Sequence, residues 1–287
     1  MVIKKNRNTV EILYPNFLYI GAAKAGSSWI YEILRAHPEV FVPAAKDLQF
    51  FDKNYTRGID WYLSFFTPRS GEKTVGEISH DYFLAEENAR KIHHHLPNVR
   101  LMCCLREPVE MLFSAYLYLK TITLAQDMTF ADFVLDKKVL TYCDYYYNLY
   151  PFYERFPREK ILSLFFDDLK TDPLHFTRRI YEFLGVDPGF QPEVLSQKVL
   201  PASEPKVFWL AHLAYRTGLI FRQFGLPGIV GRVKRNELFR RMFYKKLDRK
   251  PEIPEDVKLQ LKIFYSERYK QLPQLIGQPL PEGWFRE

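Results

Sequence analysis

Residues 17–29 read Phe-Leu-Tyr-Ile-Gly-Ala-Ala-Lys-Ala-Gly-Ser-Ser-Trp. A short apolar run ends in a loop bracketed by Gly21 and Gly26, and two hydroxyl residues then open a helical pattern from Trp29 to Arg35. In a strand–loop–helix unit of this kind, backbone N–H groups and the positive end of the helix dipole hold a phosphate. The stretch therefore predicts a phosphate-binding loop.

The position of the lysine distinguishes this loop from the loop of nucleoside triphosphatases. The Walker-type loop needs Gly, four residues, Gly, then Lys and Ser or Thr. Gly21 and Gly26 have this separation, but Ser27 follows Gly26 and the lysine lies inside the loop at Lys24. A lysine there suits a shorter 5′-phosphate whose leaving-group oxygen is close by. The loop is predicted to bind a phosphate group other than that of ATP.

The composition is that of a globular chain with an excess of basic residues. Of its 287 residues, 47% are hydrophobic and 16% are aromatic, which excludes a disordered chain. Lys and Arg outnumber Asp and Glu by 41 to 34, for a formal charge of +7. This surplus favours an anionic ligand, an acidic membrane surface or nucleic acid, without choosing among them.

The cysteines indicate a cytoplasmic protein. They are three in number, and Cys103 and Cys104 are adjacent in an apolar run while Cys143 lies apart, which predicts reduced thiols. No CxxC pair is present, so no structural zinc is expected. The first residues are polar and carry no signal segment, and no apolar stretch of about 18 residues predicts a transmembrane helix.

Apolar runs alternate with helical patterns along the first two thirds of the chain. Strands are predicted at residues 17–20, 74–78, 99–105 and 161–165, and helices at 28–36, 85–95, 108–120, 145–155 and 171–184. This alternation predicts an α/β fold, a P-loop-like doubly wound parallel sheet flanked by helices. Ligands of such sheets lie beyond the carboxyl ends of the strands. The segments Gly21–Ser28 and Ser79–His80 and the side chain of Arg106 are therefore expected to meet in one crevice.

The chain changes character after about Val186. Proline-bearing loops lead into a long, basic, amphipathic stretch at residues 206–250, and a last helix is predicted at about 255–272. We interpret this part as a helical C-terminal portion that packs on the α/β core.

A second informative segment, residues 101–116, reads Leu-Met-Cys-Cys-Leu-Arg-Glu-Pro-Val-Glu-Met-Leu-Phe-Ser-Ala-Tyr. Arg106 ends a buried strand, and Ser114 lies on the second turn of the following helix. A guanidinium and a hydroxyl so placed can hold one phosphate from two sides. Alternatively, Arg106 pairs with Glu107 or Glu110 and the serine bonds a carbonyl of its own helix. The loop at residues 17–29 favours the phosphate-binding interpretation.

These segments resemble the sulfotransferases that use 3′-phosphoadenosine 5′-phosphosulfate (PAPS). Lys24-Ala-Gly-Ser-Ser-Trp29 matches their 5′-phosphosulfate loop, Lys-x-Gly-[Thr/Ser]-[Thr/Ser]-[Trp or aliphatic]. Arg106, Pro108, Ser114 and Tyr116 fit their 3′-phosphate segment.

The resemblance extends over almost the whole chain. Lys46-Asp-Leu-Gln-Phe-Phe-Asp52 followed by Gly58-Ile-Asp-Trp-Tyr62 is similar to the acceptor-site segment of the heparan-sulfate and bacterial branch, and weaker matches occur at residues 165–169, 183–185 and 281–284. It implies one sulfotransferase domain over residues 1–287. Its parts would be an N-terminal extension at 1–15, an α/β core at 16–186 and the helical portion at 187–287.

The resemblance also implies roles for the residues of both segments. Lys24 would neutralise charge on the leaving phosphate oxygen during sulfonyl transfer. Arg106 and Ser114 would hold the 3′-phosphate, and no metal is required. The 5′-phosphate and adenine of PAPS, or of the product PAP, would contact the loop residues Lys24, Ala25, Gly26, Ser27, Ser28 and Trp29. Trp29 would stack on adenine or, alternatively, pack the helix on the sheet.

Two residues compete for the role of general base. Asp47 occupies the place of a catalytic Glu in the heparan-sulfate branch, and His80 stands where cytosolic members use a histidine. A free imidazole has a pKa of about 6.5, against about 3.9 for an aspartic acid, so a histidine is better suited to neutral pH. We place His80 slightly ahead.

Two departures from the family pattern affect this site. Ile78 stands where the heparan-sulfate branch often has a Lys that contacts the sulfonyl group, and Lys46 or a C-terminal basic residue could substitute for it. Met111 stands where many members have an Arg that helps hold the 3′-phosphate. The run His93-His94-His95 is a poor metal site, because consecutive helical positions point in different directions.

Other functions and the acceptor stay open at this point. A P-loop kinase or NTPase would need a Mg²⁺-binding acid, for which Asp167-Asp168 is the nearest candidate. A non-catalytic membrane-surface or nucleic-acid adaptor would use the basic cluster Arg232–Lys250. For an enzyme, a lipid, a carrier-tethered acyl chain, a sugar or a small phenol could be the hydroxyl-bearing acceptor, less readily an amine. We then expect no nucleic-acid partner, and peripheral membrane contact stays possible. Tyr145–Tyr147 and Phe50-Phe51 could line an acceptor pocket or belong to the core.

Overall fold

Five parallel strands form the centre of the fold. The computed structural model describes residues 14–67, 71–123, 127–196, 203–205, 213, 216–217, 244–246 and 251–285. The five-stranded sheet has the order β2-β3-β1-β4-β5. Its strands are β1 (Phe17–Gly21), β2 (Val40–Phe41), β3 (Thr74–Ile78), β4 (Arg100–Leu105) and β5 (Ile161–Phe165). The predicted doubly wound parallel sheet is confirmed. Of its five strands the sequence pattern missed β2, whose two residues are too few for a periodic signal.

Helices flank this sheet. They are α1 (Ser27–Ala36), α2 (Ile59–Leu63), α3 (Glu86–His95), α4 (Pro108–Ile122), α5 (Phe130–Leu135), α6 (Lys137–Thr141), α7 (Tyr145–Arg155), α8 (Phe166–Thr171), α9 (Pro173–Leu184), α10 (Glu255–Arg268) and α11 (Leu272–Ile276). The single helix predicted at 171–184 is wrong at its start. Asp172 caps α9 by accepting the His175 N–H at 2.9 Å, and Pro173 opens the new helix.

The central strands of the sheet are buried on both faces. Every residue of β1 and β3 is buried, as expected for central parallel strands. Phe17 pairs with Gly76 of β3, and the phenylalanine ring occupies the space that a side chain at Gly76 would need. Burial of a phenylalanine such as Phe17 contributes about 1.5–3 kcal/mol.

Backbone hydrogen bonds tie together the segments that follow β1, β3 and β4. The Ala22 N–H donates to the Cys104 carbonyl at 3.0 Å, and the Ser79 N–H donates to the Tyr19 carbonyl at 3.0 Å. The Asp47 N–H donates to the Ile78 carbonyl at 2.9 Å, which adds the segment after β2. The loops therefore meet at the carboxyl edge of the sheet, around β1.

The described C-terminal residues pack on the sheet and on α4. Tyr265 donates to the Leu140 carbonyl at 2.8 Å, and Trp284 donates from Nε1 to Asp167 Oδ2 at 3.1 Å. The predicted helix at 255–272 is present as α10 followed by α11. Residues 203–205 and 244–246 form a two-stranded antiparallel sheet, β6 and β7. Most of the basic stretch at 206–250, which includes the Arg232–Lys250 cluster, lies outside the described residues. The predicted division into an N-terminal extension, an α/β core and a helical C-terminal portion therefore stays a prediction.

Within the described ranges, no helix is both long enough and apolar enough to cross a lipid bilayer.

Candidate active site

The loop between β1 and α1 has the geometry of an anion-binding turn. Lys24 and Gly26 both have left-handed backbone angles, with φ of 58° and 88°. A β-carbon at Gly26 would come within 2.9 Å of Leu169 Cδ2, so both conformation and space require glycine. The turn leads into Ser27, the first residue of α1, whose first turn has no acidic side chain and no side-chain cap. The uncapped N–H groups of the helix and its dipole therefore favour a bound anion.

The lysine of the loop lies against an aromatic ring. Lys24 Nζ is 4.4 Å from the ring centroid of Tyr118 on α4, a cation–π contact. Tyr118 was not predicted as a site residue. It lies one helical turn beyond Ser114, and this i,i+4 spacing is the signal that could have found it.

Arg106 is held rigidly at the end of β4. Its Nη1 donates to the Lys24 carbonyl at 2.9 Å, and its guanidinium lies 4.8 Å from the ring centroid of Phe166. The Tyr145 hydroxyl donates to the Arg106 carbonyl at 2.9 Å, which fixes the backbone as well. Arg106 Nε is buried and has no hydrogen-bond partner among the described residues. The guanidinium is thus preorganised beside the loop.

The start of α4 contains part of the alternative arrangement, in which Arg106 pairs with a glutamate of its own segment. Arg106 Nη2 pairs with Glu110 Oε2 at 3.0 Å, while Glu107 instead caps α4 by accepting the Glu110 N–H at 2.6 Å. Ser114 is half-buried one turn further along the face that carries Glu110. A phosphate at Arg106 would share the guanidinium with Glu110, because each Nη carries two hydrogens.

The side chain at position 111 lies on the core side of α4. Met111 is buried, and its sulfur lies 3.4 Å from Cys143 Sγ in the core between α4 and the segment before α7. A side chain at this position packs against the core.

Lys46 reaches the phosphate-binding loop from a different part of the chain. Its Nζ is 2.8 Å from Ser27 Oγ and 3.3 Å from Ser28 Oγ. The segment Lys46–Asp52, predicted as part of the acceptor site, therefore adds a cation directly at the start of α1.

The two residues predicted as rival bases form one hydrogen-bonded pair. His80 Nδ1 lies 2.6 Å from Asp47 Oδ1, and His80 Nε2 lies 3.5 Å from Asp81 Oδ1. The side chain of His80 is 26% exposed and that of Asp47 is 15% exposed, so the imidazole is the more accessible of the two. Donation from Nδ1 to the carboxylate leaves Nε2 as the nitrogen that can accept a proton.

The buried carboxyl group of Glu77 is hydrogen-bonded to two tyrosines near this pair. Glu77 Oε1 accepts hydrogen bonds from Tyr62 at 3.2 Å and from Tyr82 at 2.5 Å, and the Tyr82 hydroxyl accepts the Phe50 N–H at 2.9 Å. Burial is the main cause that raises the pKa of Glu77 to about 8. The hydrogen bonds from Tyr82 and Tyr62 oppose this rise, and the nearby carboxylate of Asp47 adds to it. Sequence reasoning missed this network, although a glutamate within the otherwise uncharged run of β3 is a visible signal.

Replacement of Glu77 by glutamine is expected to change how stability depends on pH. The unfolded chain ionises this carboxyl above its ordinary pKa of 4.5, whereas the folded protein keeps it protonated up to about 8. The folded state then binds more protons, so the contribution of Glu77 to stability falls as pH rises through this window. A glutamine keeps an oxygen that can accept the tyrosine hydrogen bonds and does not ionise. Glu77→Gln should therefore unfold at a higher temperature than the natural protein at pH 8.

The pKa shift of Glu77 also sets the size of the stability change. The gain of Glu77→Gln over the natural protein should reach about 2–4 kcal/mol at pH 8 and nearly vanish at pH 5, measured by denaturant unfolding. Glu86→Gln, which changes a side chain that is 66% exposed, is the matched control. A gain that is the same at both pH values would show that Glu77 is ionised in the folded protein.

Several other candidate residues contribute to the core of the domain. Trp29 is 8% exposed and packs edge-to-face on Phe176 at 6.0 Å between ring centroids. The aromatic residues Phe50, Phe51 and Tyr145 are all buried. In the run Tyr145–Tyr147, only Tyr147 is mainly exposed, at 61%.

The candidate metal-binding residues have protein partners. Asp168 pairs with Arg179 at 3.2 Å, and Asp167 accepts the Trp284 indole N–H described above. His95 Nε2 lies 3.0 Å from the Tyr55 hydroxyl. Among the described residues, no group of three His, Cys, Asp or Glu side chains is arranged to hold a metal ion.

Comparison with known proteins agrees with this geometry. Residues 15–214, the larger part of the chain, match the family model of the sulfotransferase domain. The chain belongs to the PAPS-dependent sulfotransferase family. The resemblance seen in the two phosphate-binding segments is thereby confirmed at the level of the family.

Similar proteins include heparan sulfate sulfotransferases. The bifunctional heparan sulfate N-deacetylase/N-sulfotransferase 3 of Homo sapiens is 26% identical over 298 residues, which cover 95% of this chain and 31% of that protein. The heparan sulfate glucosamine 3-O-sulfotransferase 5 of Mus musculus is 26% identical over 280 residues, covering 93% of this chain and 73% of that protein. The chain thus spans about a third of the length of the bifunctional relatives that it matches.

A solved structure shows the same fold. The sulfotransferase from Alicyclobacillus acidocaldarius aligns with a TM-score of 0.68 at 21% identity, covering 96% of this chain and 100% of that chain. The parallel sheet and its flanking helices are therefore those of a sulfotransferase domain.

Proposed function

We propose that this domain transfers the sulfonyl group of PAPS to a hydroxyl group of an acceptor. The observation that carries the proposal is the contact of Arg106 with the Lys24 carbonyl at 2.9 Å. This contact brings the Arg106 guanidinium next to the loop before α1, which supports a 3′-phosphate at the guanidinium and a 5′-phosphate at the helix N-terminus. This pair of anion sites suits a nucleotide with phosphates at both positions.

In the proposed reaction, the acceptor oxygen attacks sulfur in line with the bond that breaks. A new S–O bond forms to the acceptor, and the bond from sulfur to the 5′-phosphate oxygen breaks with its electron pair on that oxygen. Lys24 stabilises the charge that develops there. The loop residues Gly26, Ser27 and Ser28 hold the 5′-phosphate, while Arg106 and Ser114 hold the 3′-phosphate.

The proton of the acceptor hydroxyl passes to His80 in this scheme. Asp47 accepts the Nδ1–H of the imidazole, fixes its tautomer and stabilises the imidazolium that forms, while Nε2 is the base. The 2.6 Å contact between the two side chains supports a shared role for them. Asp81, beside Nε2, adds a second carboxylate for the imidazolium.

The acceptor is proposed at the level of its chemistry. The names of these relatives refer to heparan sulfate and, for one of them, to its glucosamine, so a saccharide hydroxyl or amine is the acceptor class we would test first. Lipids, carrier-tethered acyl chains and small phenols belong in the same screen with labelled PAPS. A cytoplasmic location is also proposed, supported by three buried cysteines without disulfide bonds.

PAP is expected to raise the melting temperature of the protein by several degrees. A ligand that binds only the folded state at about 100 times its dissociation constant stabilises by about 2.7 kcal/mol. AMP, which lacks only the 3′-phosphate, and adenosine 5′-phosphosulfate should give smaller shifts, and ATP should give little. Thermal unfolding with each nucleotide measures this series.

Variants connect the series to Arg106. Arg106→Met should remove most of the difference between PAP and AMP, whereas Arg35→Met, which changes a side chain that is 53% exposed at the other end of α1, should preserve it. Equal shifts for PAP and AMP in the natural protein would remove the case for Arg106 as a ligand of the 3′-phosphate. A larger shift with ATP than with PAP would favour the kinase alternative.

A further inference from the structure

Four buried aromatic side chains pack together next to Arg106. They come from β5, from the start of α7, from the residue after α10 and from the segment after α11, and they are Phe165, Tyr145, Tyr269 and Trp284. The rings of Tyr145 and Tyr269 stack at 5.4 Å between centroids. The indole of Trp284 lies 6.3 Å from the Tyr145 ring and 5.5 Å from the Phe165 ring. This aromatic cluster therefore joins the C-terminal part of the chain to the end of β5 and to the start of α7.

The aromatic cluster holds the backbone of Arg106 through Tyr145. The pairing of β4 with β5 ends at Leu105, one residue before Arg106. The Tyr145 hydroxyl donates to the Arg106 carbonyl at 2.9 Å and accepts the Arg106 N–H at 3.4 Å. Since a hydroxyl can donate one hydrogen bond and accept others, this one pairs with both backbone groups of a single residue. The Tyr145 hydroxyl thus takes the place of a neighbouring strand where the pairing ends.

The second support of Arg106 is the ring of Phe166, the first residue of α8. This ring lies 4.8 Å from the guanidinium. It also lies beside the phosphate-binding loop, because a β-carbon at Gly26 would come within 3.2 Å of Phe166 Cδ2. The residues on either side of Phe166 both contact the indole of Trp284, one by its ring and Asp167 by accepting the Nε1–H at 3.1 Å. The position of the Phe166 ring is therefore coupled to Trp284.

We propose that Trp284 is a positioning residue for the 3′-phosphate of the nucleotide. This inference rests on the proposed function, in which Arg106 holds that phosphate. Trp284 contacts the ring of Tyr145 and both sequence neighbours of Phe166, so it fixes the two supports of the guanidinium relative to each other. An arginine side chain loses rotational freedom when it binds a ligand, and a guanidinium that is already held in place loses less. Trp284 thereby raises the affinity for the 3′-phosphate through Tyr145 and Phe166.

The affinities for PAP and AMP measure this role, because the two nucleotides differ by the 3′-phosphate alone. Trp284→Phe keeps an aromatic ring and loses the indole N–H. Calorimetric titration should show that it binds PAP about 3- to 10-fold more weakly than the natural protein, the size expected when one long side chain must be ordered on binding. Its affinity for AMP should change by less than about 2-fold, since AMP does not use the guanidinium.

A second variant reaches the same support with a smaller change. Tyr145→Phe removes only the hydroxyl that holds the Arg106 backbone, and it should give the same selective loss of PAP affinity. It keeps the test decisive if Trp284→Phe lowers the yield of folded protein.

A double-mutant cycle shows whether Trp284 acts through Arg106. In Arg106→Met the guanidinium is absent, so the addition of Trp284→Phe should change the affinity for PAP by less than about 2-fold. Tyr181→Phe is the matched control, because the Tyr181 hydroxyl belongs to a buried side chain and donates to a backbone carbonyl, that of Ile33, at 3.0 Å. This control should lower the melting temperature as Tyr145→Phe does and leave the ratio of the PAP and AMP affinities unchanged.

Each other result contradicts the proposal in a recognisable way. An equal loss of affinity for PAP and AMP in Trp284→Phe would mean that the indole only stabilises the domain. Unchanged affinity for both nucleotides, or an undiminished effect of Trp284→Phe on PAP binding in Arg106→Met, would overturn the proposal as well. If the natural protein binds PAP no more tightly than AMP, the proposed 3′-phosphate site itself fails, whatever the variants do.

Discussion

His80→Ala is expected to lower kcat/KM by about two to four orders of magnitude, the range typical of general base catalysis. In the proposed scheme the imidazole accepts the proton of the acceptor hydroxyl, and alanine removes the group that takes it. Initial rates of the variant and of the natural protein at one pH measure this loss.

Asp47→Asn distinguishes the two members of the pair. If the carboxylate orients and stabilises the imidazole, the variant keeps some activity but turns over more slowly than the natural protein. His94→Ala, at an exposed position near the end of α3, is the control for loss of a histidine. Abolished turnover in Asp47→Asn together with an active His80→Ala would make the carboxylate the base.

The sequence was sufficient to predict the sheet and the places where its loops meet. β3 and β5 have the predicted bounds, because short apolar runs between helical patterns are a strong local signal. The start of α9 was misplaced because the pattern continued through Asp172, where a cap and a proline begin a new helix. Local chemistry of this kind decides a boundary that periodicity alone does not show.

The contacts of the site were less accessible to sequence reasoning. Each of His80, Asp47 and Lys46 was identified as a candidate, but their partners depend on how the segment after β2 lies across the end of β3. That path is set by long-range contacts, such as the bond from Phe50 to Tyr82, which have no spacing rule. Whether the pair acts as proposed is a separate question that the variants above address.

Lys24→Ala is expected to lower kcat by about 10²–10³-fold while weakening PAP binding much less. The largest contribution of the lysine comes as negative charge develops on the leaving oxygen, an interaction that is weaker in the ground state. The residue has a φ of 58°, and alanine meets the same backbone cost as lysine there, so the loop should keep its shape. The aromatic ring of Tyr118, 4.4 Å from Nζ, loses a surface contact that contributes about 0.5–1 kcal/mol.

Single-turnover rates and PAP titrations together test whether Lys24→Ala lowers the rate of transfer more than it weakens nucleotide binding. Lys73→Ala removes a lysine at the far edge of the sheet and should match the natural protein in both measurements. Lys24→Ala should bind PAPS and PAP almost as the natural protein does and fail mainly in the rate of transfer. A change confined to KM in Lys24→Ala would mean that the lysine only binds the nucleotide.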